Sequence, residues 1–258
     1  MTNIDQAPVN ARALAAEIEP RAIASWPARE AVRRDDWLLR FTNGFTHRGN
    51  SVATLQFRGR NLDSAIDEVE REYRKRALSP MFQVASLVAP PDLECVLVAR
   101  DYEVVTPTFV LAATPTAMRP RLPATADVAI DREPCTEFVA LVVEGSRSEG
   151  DGAERIEILS RIAAERVCLT AFADGRAVAC GAATLVEGHV GINLMRTALG
   201  HRRKGHALRI LSAIARWAEQ KGAARTYLGV EIANAPALAL YRRAGFALAY
   251  SYRYYRKT

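Results

Sequence analysis

Apolar and polar positions in the second half of the chain follow a pattern that predicts helices and strands in succession. Leu208, Leu211 and Ile214 recur at helical spacing and predict the strongest helix, over Leu208–Gln220. The polar, Gly-containing stretch Gly145–Gly152 is predicted to be a loop. The other predicted elements are helices over Thr136–Glu144, Ala153–Ala164 and Ala235–Ala244, and strands over Val167–Phe172, Ala177–Val186, Val190–Thr197, Thr226–Glu231 and Phe246–Tyr255.

The first half of the chain shows the same two periodicities. Leu62, Ile66, Val69 and Tyr73 predict an amphipathic helix over Leu62–Ala77. The other predicted elements are strands over Asp36–Thr42, Ser51–Phe57, Phe82–Val88 and Val104–Ala112, a short helix over Asp92–Arg100 and a polar turn over Asn43–Asn50.

A stretch between the two halves, Ala112–Thr125, contains three prolines and no periodicity, which predicts a linker. We therefore expect a first domain over residues 1–112, a linker over 113–125 and a second domain over 126–258. An antiparallel meander followed by strand–helix–strand–helix–strand indicates a mixed, mostly antiparallel sheet flanked by helices, in the α+β or α/β class.

Length and composition narrow the classes of protein further. A chain of 258 residues can form one large domain or two small ones. Its apolar runs fall short of the ~18–20 residues that span a bilayer, and residues 1–30 show no secretory signal. The cysteines form no Cys-x-x-Cys pair and the histidines form no His-Glu-x-x-His motif. We expect a cytoplasmic protein with reduced thiols, no bound metal and no membrane partner.

Charge is distributed unevenly along the chain. Residues 196–258 contain 13 Lys and Arg against two acidic residues, whereas residues 1–195 contain 22 against 27. The C-terminal quarter is therefore a cationic block, which could bind nucleic acid, an anionic membrane or a phosphorylated small molecule.

The segment Gly-His-Arg-Arg-Lys-Gly-His-Ala, residues 200–207, lies between a predicted strand and the strongest helix. The first turn of a helix leaves backbone N–H groups without partners at the positive end of the helix dipole. Gly205 would let those groups approach phosphate oxygens, and Arg202, Arg203 and Lys204 would add positive charge there. Taken alone, the segment also fits a solvated, basic helix start.

Two motifs in the expected order resemble the GNAT superfamily of acyl-CoA-dependent N-acetyltransferases. Arg202, Gly205 and Ala207 fit the pyrophosphate signature of the family, Arg/Gln-x-x-Gly-x-Gly/Ala. The second family feature is an Asn, a helix with a Tyr and then Gly-Phe, matched here by Asn234, Tyr241, Gly245 and Phe246. The resemblance covers roughly residues 126–258.

The resemblance implies that an acetyl group moves from acetyl-CoA to a primary amine of a small-molecule or amino-acid-like acceptor by direct attack. It implies that Tyr241 protonates the leaving thiolate or donates a hydrogen bond to the CoA sulfur. Asn234 could cap its helix, hydrogen-bond the pantetheine arm, or do both. The other residues expected to contact acetyl-CoA are Leu194, Met195 and Arg196 through their backbone, and Arg202, Arg203, Lys204, Gly205, His206 and Ala207 around the phosphates.

The general base is less well defined by the sequence. The attacking amine must lose a proton, since a lysine-like amine has a pKa near ~10.4 in water. Glu231 ends the strand before the Asn234 helix and is a candidate base and acceptor contact. A relay of water molecules is an equal alternative, while Asn193 can orient a group but cannot titrate.

The N-terminal half resembles a region that precedes the catalytic domain in a subset of bacterial GNAT proteins. It lacks the pyrophosphate signature, so we expect it to bind no CoA. It could be an unrelated domain, a degenerate GNAT-like half or an extension of the acceptor pocket. His47, Arg48 and Asn50 lie in its polar turn, either as a wall of the acceptor site or as an ordinary hairpin loop.

Rival functions remain at this point. The chain could be a protein or peptide acetyltransferase, a CoA sensor without catalysis, or a nucleic-acid-binding module that uses the cationic block. The C-terminal sequence Tyr250–Arg256 interleaves aromatic residues with Arg, which fits base stacking as well as an alternating last strand. We expect acetyl-CoA and an amine acceptor as partners and no nucleic acid; self-association into a homodimer is left open.

Overall fold

A computed structural model describes residues 9–124 and 127–257 and places them in two compact units. The first unit contains the described residues up to Val110, the segment Gly229–Ala233 and the chain from Leu248 onward. The second contains the described residues of Leu111–Leu228 together with Asn234–Ala247. The final strand, which the sequence groups with the second domain, is thus part of the first unit. The predicted boundary at residues 125 and 126 lies outside the described residues.

The described chain alternates between short helices and strands. The helices are α1 (Ala11–Ala24), α2 (Leu62–Arg74), α3 (Leu93–Ala99), α4 (Pro115–Met118), α5 (Thr136–Glu144), α6 (Glu149–Ser160), α7 (His206–Gln220) and α8 (Ala235–Arg243). The strands are β1 (Glu30–Arg34), β2 (Trp37–Phe41), β3 (Val52–Ala53), β4 (Met81–Val84), β5 (Glu103–Ala113), β6 (Val128–Asp131), β7 (Arg166–Ala173), β8 (Arg176–Val186), β9 (His189–Thr197), β10 (Arg225–Glu231) and β11 (Ala247–Arg256).

The first unit is built on a mixed sheet in the order β1-β2-β3-β4-β11-β5. Strands β1 and β2 form an antiparallel hairpin, β3 runs parallel to β4, and β11 pairs antiparallel with β4. Helix α2 buries the apolar face that its periodicity predicts. The core of the first unit is rich in aromatic side chains, including Trp37, Phe41, Tyr73, Phe82, Tyr102 and Tyr255.

A network of charged and polar side chains is buried in the same unit. The Arg40 guanidinium donates from Nε to the Ser51 carbonyl at 2.8 Å and from Nη2 to Gln83 Oε1 at 2.7 Å. Glu19 accepts from the Tyr250 hydroxyl at 2.7 Å and from Gln83 Nε2 at 3.1 Å. Burial raises the pKa of Glu19, against the opposing effects of Tyr250 and Arg40. These hydrogen bonds satisfy polar groups that would otherwise be costly to bury.

The second unit contains a sheet in the order β10-β9-β8-β7-β6. Strands β6 to β9 pair antiparallel in sequence, and β9 pairs parallel with β10. Two tight turns join β7 to β8 and β8 to β9, and both of their central residues have positive φ, as the hairpin prediction requires. Helix α7 buries nine of its residues, including Leu211 and Ile214. The predicted mixed sheet flanked by helices is confirmed.

Several predicted element boundaries need correction. The loop predicted over Gly145–Gly152 is too long, and the helix predicted from Ala153 starts too late. Helix α6 starts at Glu149, because Ser148 caps it: its Oγ accepts from the Asp151 N–H at 3.2 Å. The strand predicted over Ser51–Phe57 is reduced to β3, and that over Phe82–Val88 ends at Val84.

The Pro-rich stretch predicted as a linker contains regular structure. Thr114 caps α4 through its hydroxyl, which accepts from the Ala117 N–H, and Met118 is fully buried. A single-turn 3-10 helix follows over Arg119–Arg121. Proline at the start of a helix removes an N–H group that would have no partner there, so it favours this short helix rather than a flexible segment. The sequence patterns also missed α1, β1 and β6.

Candidate active site

The turn that precedes α7 has the backbone geometry expected of an anion-binding helix start. Gly205 lies immediately before the helix with φ +84°, in the left-handed region, and nothing lies within 4 Å of where its Cβ would be. The three cationic residues before it, Arg202, Arg203 and Lys204, are exposed. Backbone N–H groups at a helix start and adjacent cations together form a site that suits phosphate.

His206 and Ala207 form the first turn of α7 and are partly exposed. Arg209 Nη1 lies 3.1 Å from His206 Nδ1, and because a guanidinium can only donate, that nitrogen accepts. Burial, together with the positive charge of Arg209, lowers the pKa of His206. When the ring is neutral, this contact places its proton on Nε2, from which it can donate to a ligand oxygen.

Strand β9, which leads into this turn, is interrupted by an irregularity. Cys180 pairs with Arg196 and Ala182 with Asn193, so two residues of β8 span the same length as three of β9. Leu194 has φ +55°, and its carbonyl accepts from the Cys180 thiol at 3.7 Å. Such a bulge takes backbone groups out of the ladder and re-aims them. It lies within Leu194–Arg196, where the sequence predicts the donor to the thioester oxygen.

The opposite edge of β9 is paired over only part of its length. Within the described residues, the parallel ladder to β10 covers His189, Val190 and Gly191 and extends no further. The rest of β9 therefore presents strand backbone on that side. Backbone amides and carbonyls of this kind suit a ligand that itself carries amides, as the pantetheine arm of CoA does.

Tyr241 is buried on α8, and its ring packs edge-on against Phe246 with the ring centroids 5.8 Å apart. Burial raises the pKa of Tyr241 to about 12, and the charge of Arg196 acts in the opposite direction. The hydroxyl therefore keeps its proton throughout the physiological range, as a hydrogen-bond donor or general acid must.

Asn234 caps α8, since its Oδ1 accepts from the Ala237 N–H at 3.1 Å. Its side chain is exposed, so the cap leaves the amide nitrogen accessible. Glu231, the candidate base, ends β10 and is also exposed. Asn193 is buried on β9 and has a partner of its own.

The candidate acceptor residues of the first unit are tied into its structure. Asn50 is buried; its Oδ1 accepts from the N–H groups of Thr42 and Gly44, and its Nδ2 donates to the Thr46 carbonyl at 2.7 Å. These three bonds hold the turn together and favour a structural role for Asn50.

Two other side chains of that turn contact aromatic rings. The Arg48 guanidinium lies 4.7 Å from the centre of the Trp26 ring, a cation–π arrangement. The His47 ring meets that of Tyr254 edge-on at 5.1 Å. Both side chains are half-buried. Their role in binding an acceptor stays a prediction.

The side chain of Arg196 is a feature that the sequence did not reveal, since only its backbone was predicted to matter. It is half-buried, and its Nε is buried without a hydrogen-bond partner in the described part of the chain. Burial lowers the pKa of Arg196, and the charge of Arg155 adds to this effect. No sequence pattern around Arg196 indicates a role for its side chain, because it is a single arginine within a predicted strand.

A family model described as "Probable histone acetyltransferase Rv0428c C-terminal" matches residues 14–255 of the chain. The chain belongs to this family of GNAT N-acetyltransferases. The match extends beyond the 126–258 region of the sequence resemblance and includes almost all of the N-terminal half. This acetyltransferase is thus an acyl-transferring enzyme.

Other proteins share the sequence or the fold of the acetyltransferase. An uncharacterized N-acetyltransferase of Bacillus subtilis (strain 168), YobR, is 26% identical over 239 residues, which cover 90% of this chain and 94% of the relative. A GCN5-related N-acetyltransferase from Kribbella flavida has the same fold, with a TM-score of 0.69 at 16% identity over 96% of this chain and 95% of its own. A tandem GNAT protein from the clavulanic acid biosynthesis pathway has a TM-score of 0.63 at 14% identity, over 96% of this chain and 92% of its own.

Two features of the described residues bear on membranes and metals. Within the described residues, no helix is long and apolar enough to cross a membrane. No group of three or more His, Cys, Asp or Glu side chains in those same ranges is arranged to hold a metal ion. The expectations of a cytoplasmic location and of no metal stay predictions.

Proposed function

We propose that the protein transfers an acetyl group from acetyl-CoA to the primary amine of a small or amino-acid-like acceptor. The observation that supports this most strongly is the left-handed Gly205 turn, with three exposed cations, at the start of α7. It gives the pyrophosphate of CoA a set of backbone donors and positive charges. The family uses acetyl-CoA, which makes that donor the natural ligand of the turn.

In the proposed reaction, the neutral amine attacks the thioester carbonyl carbon, and the carbon–sulfur bond breaks as the amide forms. The carbonyl oxygen gains negative charge in the transition state and needs a donor, for which the backbone at the β9 bulge is the candidate. The CoA thiolate takes a proton from Tyr241, which regains one from the attacking nitrogen as the amide forms. Before the attack, the acceptor ammonium loses a proton to Glu231 or to water. A Glu231→Gln variant with an unaltered pH–rate profile would remove Glu231 from this role.

A thiol-release assay with acetyl-CoA and a panel of amines, aminoglycosides, amino acids and peptides tests the proposal. We expect release that depends on an amine and yields the N-acetyl product by mass spectrometry. Calorimetry should show acetyl-CoA binding that is weakened when Arg202, Arg203 and Lys204 are replaced with Gln. Failure of the protein to bind acetyl-CoA would contradict the proposal.

A peptide acceptor is the second candidate, because the description of the matching family names a probable histone acetyltransferase. A panel of lysine peptides beside free lysine separates the two. Acetylation of peptides at a higher kcat/KM than any free amine would favour the peptide function.

Nucleic acid is not part of the proposed function. The aromatic residues that the sequence offered for base stacking are buried in β11: Tyr250, Tyr252, Tyr254 and Tyr255. Arg253 of that strand lies 3.3 Å from Glu94. Binding to DNA or RNA that falls steeply with salt and is unaffected by CoA would argue the other way.

A further inference from the structure

We propose that the Arg196 side chain binds an anionic group of the acceptor, so that the preferred acceptor is an amine that also carries a carboxylate. This inference rests on the proposed function and specifies its substrate class. It assigns the side chain a role beyond the one predicted for the backbone of the same residue.

The position of the Arg196 side chain is set by Gly145 at the C-terminal end of α5. A Cβ on Gly145 would lie 2.5 Å from Arg196 Cδ and 2.9 Å from its Nε. Gly145 has an ordinary φ of −81°, so glycine is not needed there for the backbone. Its missing side chain instead leaves the space through which the Arg196 side chain passes.

The hydrogen bonds of Arg196 leave part of its guanidinium unused. Nη1 donates to the carbonyl of the preceding residue, Met195, at 3.0 Å. Nε is buried and has no partner among the described residues. Nη2 is not enclosed in this way and makes no hydrogen bond among the same residues, so it can donate to an acceptor oxygen of a ligand.

The charges next to Arg196 do not cancel its own. The carboxylate that acts on it is that of Asp151 on α6. Asp151 is already engaged, since Oδ1 accepts from Arg155 Nε at 3.0 Å and Oδ2 accepts from the Arg147 N–H at 3.1 Å. Glu154 on the same helix is fully buried and has its own partner. Three arginines, Arg147, Arg155 and Arg196, therefore share the Asp151 carboxylate, and a half-buried positive charge remains on Arg196.

The location of this charge points to the acceptor rather than to CoA. Arg196 lies close enough to Tyr241 to influence the ionisation of its hydroxyl, so it is near the atoms proposed to react. The phosphates of CoA belong to the turn before α7, and the pantetheine arm is uncharged. An acceptor carboxylate would pair with the guanidinium through two charge-assisted hydrogen bonds while its amine faces the thioester.

Matched triplets of acceptors test this inference: an amino acid, its primary amide and its decarboxylated amine, such as lysine, lysinamide and cadaverine. We expect wild-type protein to favour the acid in kcat/KM by about 10- to 100-fold, the range of a charge-assisted hydrogen bond. Arg196→Gln should reduce that ratio to about 1 by raising KM for the acid. Arg196→Lys should retain part of it.

Two further variants make the test independent of simple charge loss. Gly145→Ala keeps every charge but displaces the Arg196 side chain, so it should also lower the acid-to-amide ratio. Arg147→Gln is the matched control, because it removes a mostly exposed arginine from the same region and should leave the ratio unchanged. Melting temperatures establish that all variants fold.

If the enzyme acetylates none of these acceptors, binding of the acetylated products provides a second measurement. N-acetyl amino acids should raise the melting temperature of the CoA complex more than their amides do, and Arg196→Gln should abolish the difference. Equal use of acid and amide, or no thermal preference for the acids, overturns the inference. An equal loss of kcat for all acceptors in Arg196→Gln also overturns it. Absence of CoA binding instead refutes the proposed function.

Discussion

Gly181 on β8 lies directly against Met195 on β9: a Cβ on Gly181 would be 2.6 Å from Met195 Sδ and 2.8 Å from a methyl carbon of Ile210. Met195 lies within the bulge that re-aims the backbone of β9, and Ile210 is in the core of α7. The missing side chain of Gly181 thus allows the bulge and the helix to approach one strand together.

Gly181→Ala should therefore disturb both the bulge and the packing of α7. We expect a loss of about 1–3 kcal/mol in the free energy of unfolding, as for other overpacked cores, with a lower kcat. Urea titration and the thiol-release assay measure the two effects. Gly200→Ala is the control for stability, because a Cβ there meets nothing within 4 Å. Full stability and activity in Gly181→Ala would show that Met195 moves aside freely.

Tyr241→Phe removes the proposed acid and leaves the ring contact with Phe246. We expect kcat to fall by about 100-fold or more, the usual contribution of a general acid, with the Kd for acetyl-CoA nearly unchanged. Because burial raises the pKa of Tyr241 to about 12, the wild-type hydroxyl should stay protonated and cause no loss of rate below pH 10. Unchanged turnover in the variant would dismiss the role.

Gly205 should be needed for its conformation alone, since open space surrounds it. Gly205→Ala should destabilise the turn by about 1–2 kcal/mol, the cost of a left-handed conformation for a residue with a Cβ. Gly205→Asn should lose less, because Asn tolerates this region. KM for acetyl-CoA should rise in the order Gly, Asn, Ala. Equal KM values for the two variants would contradict a conformational cause.

Asn234 offers a test of its two predicted roles. Asn234→Ala should cost about 1 kcal/mol of stability through loss of the cap, whereas Asn234→Ser should restore most of it. Melting temperature and KM for acetyl-CoA are compared for both. Recovery of stability and KM together in the Ser variant indicates a cap alone. Recovery of stability without KM indicates an additional contact with the pantetheine arm.

The buried network around Arg40 predicts a pH-dependent loss of stability. Arg40→Met should destabilise the protein by about 3–5 kcal/mol near neutral pH, because it removes one of the two cations, Arg40 and Arg48, that offset the burial of the Glu19 carboxylate. Burial already raises the pKa of Glu19, so the folded state favours its protonated form. That stabilisation is complete below the ordinary pKa of 4.5 and is lost as pH rises through the folded value.

The Arg40→Met defect should accordingly shrink as pH falls towards 4.5, since Glu19 becomes neutral. Unfolding by urea at several pH values measures this trend. The double variant Glu19→Gln with Arg40→Met should recover much of the neutral-pH stability. A defect of equal size at every pH would show that lost hydrogen bonds to Ser51 and Gln83, rather than charge, cause the instability.

The sequence by itself determined the elements whose signals are local. Asp174-Gly175 and Glu187-Gly188 specify their turns through positive φ, and Gly205 and Asn234 mark the starts of α7 and α8 for reasons that lie in the first helical turn. The family motif and the position of Tyr241 follow from the same local spacing. Local patterns failed where tertiary contacts dominate: α1 contains Pro20, and β6 gains its order from pairing with β7.

Only the tertiary structure decided which residues meet across the fold. It placed β11 in the first unit, gave Asn50 three structural hydrogen bonds, and buried the aromatic residues that resembled a stacking surface. It also brought Arg196 against Gly145, 51 positions earlier in the chain, and beside Tyr241, 45 positions later. No local propensity encodes such contacts, because they depend on strand register and on how helices pack against the sheet.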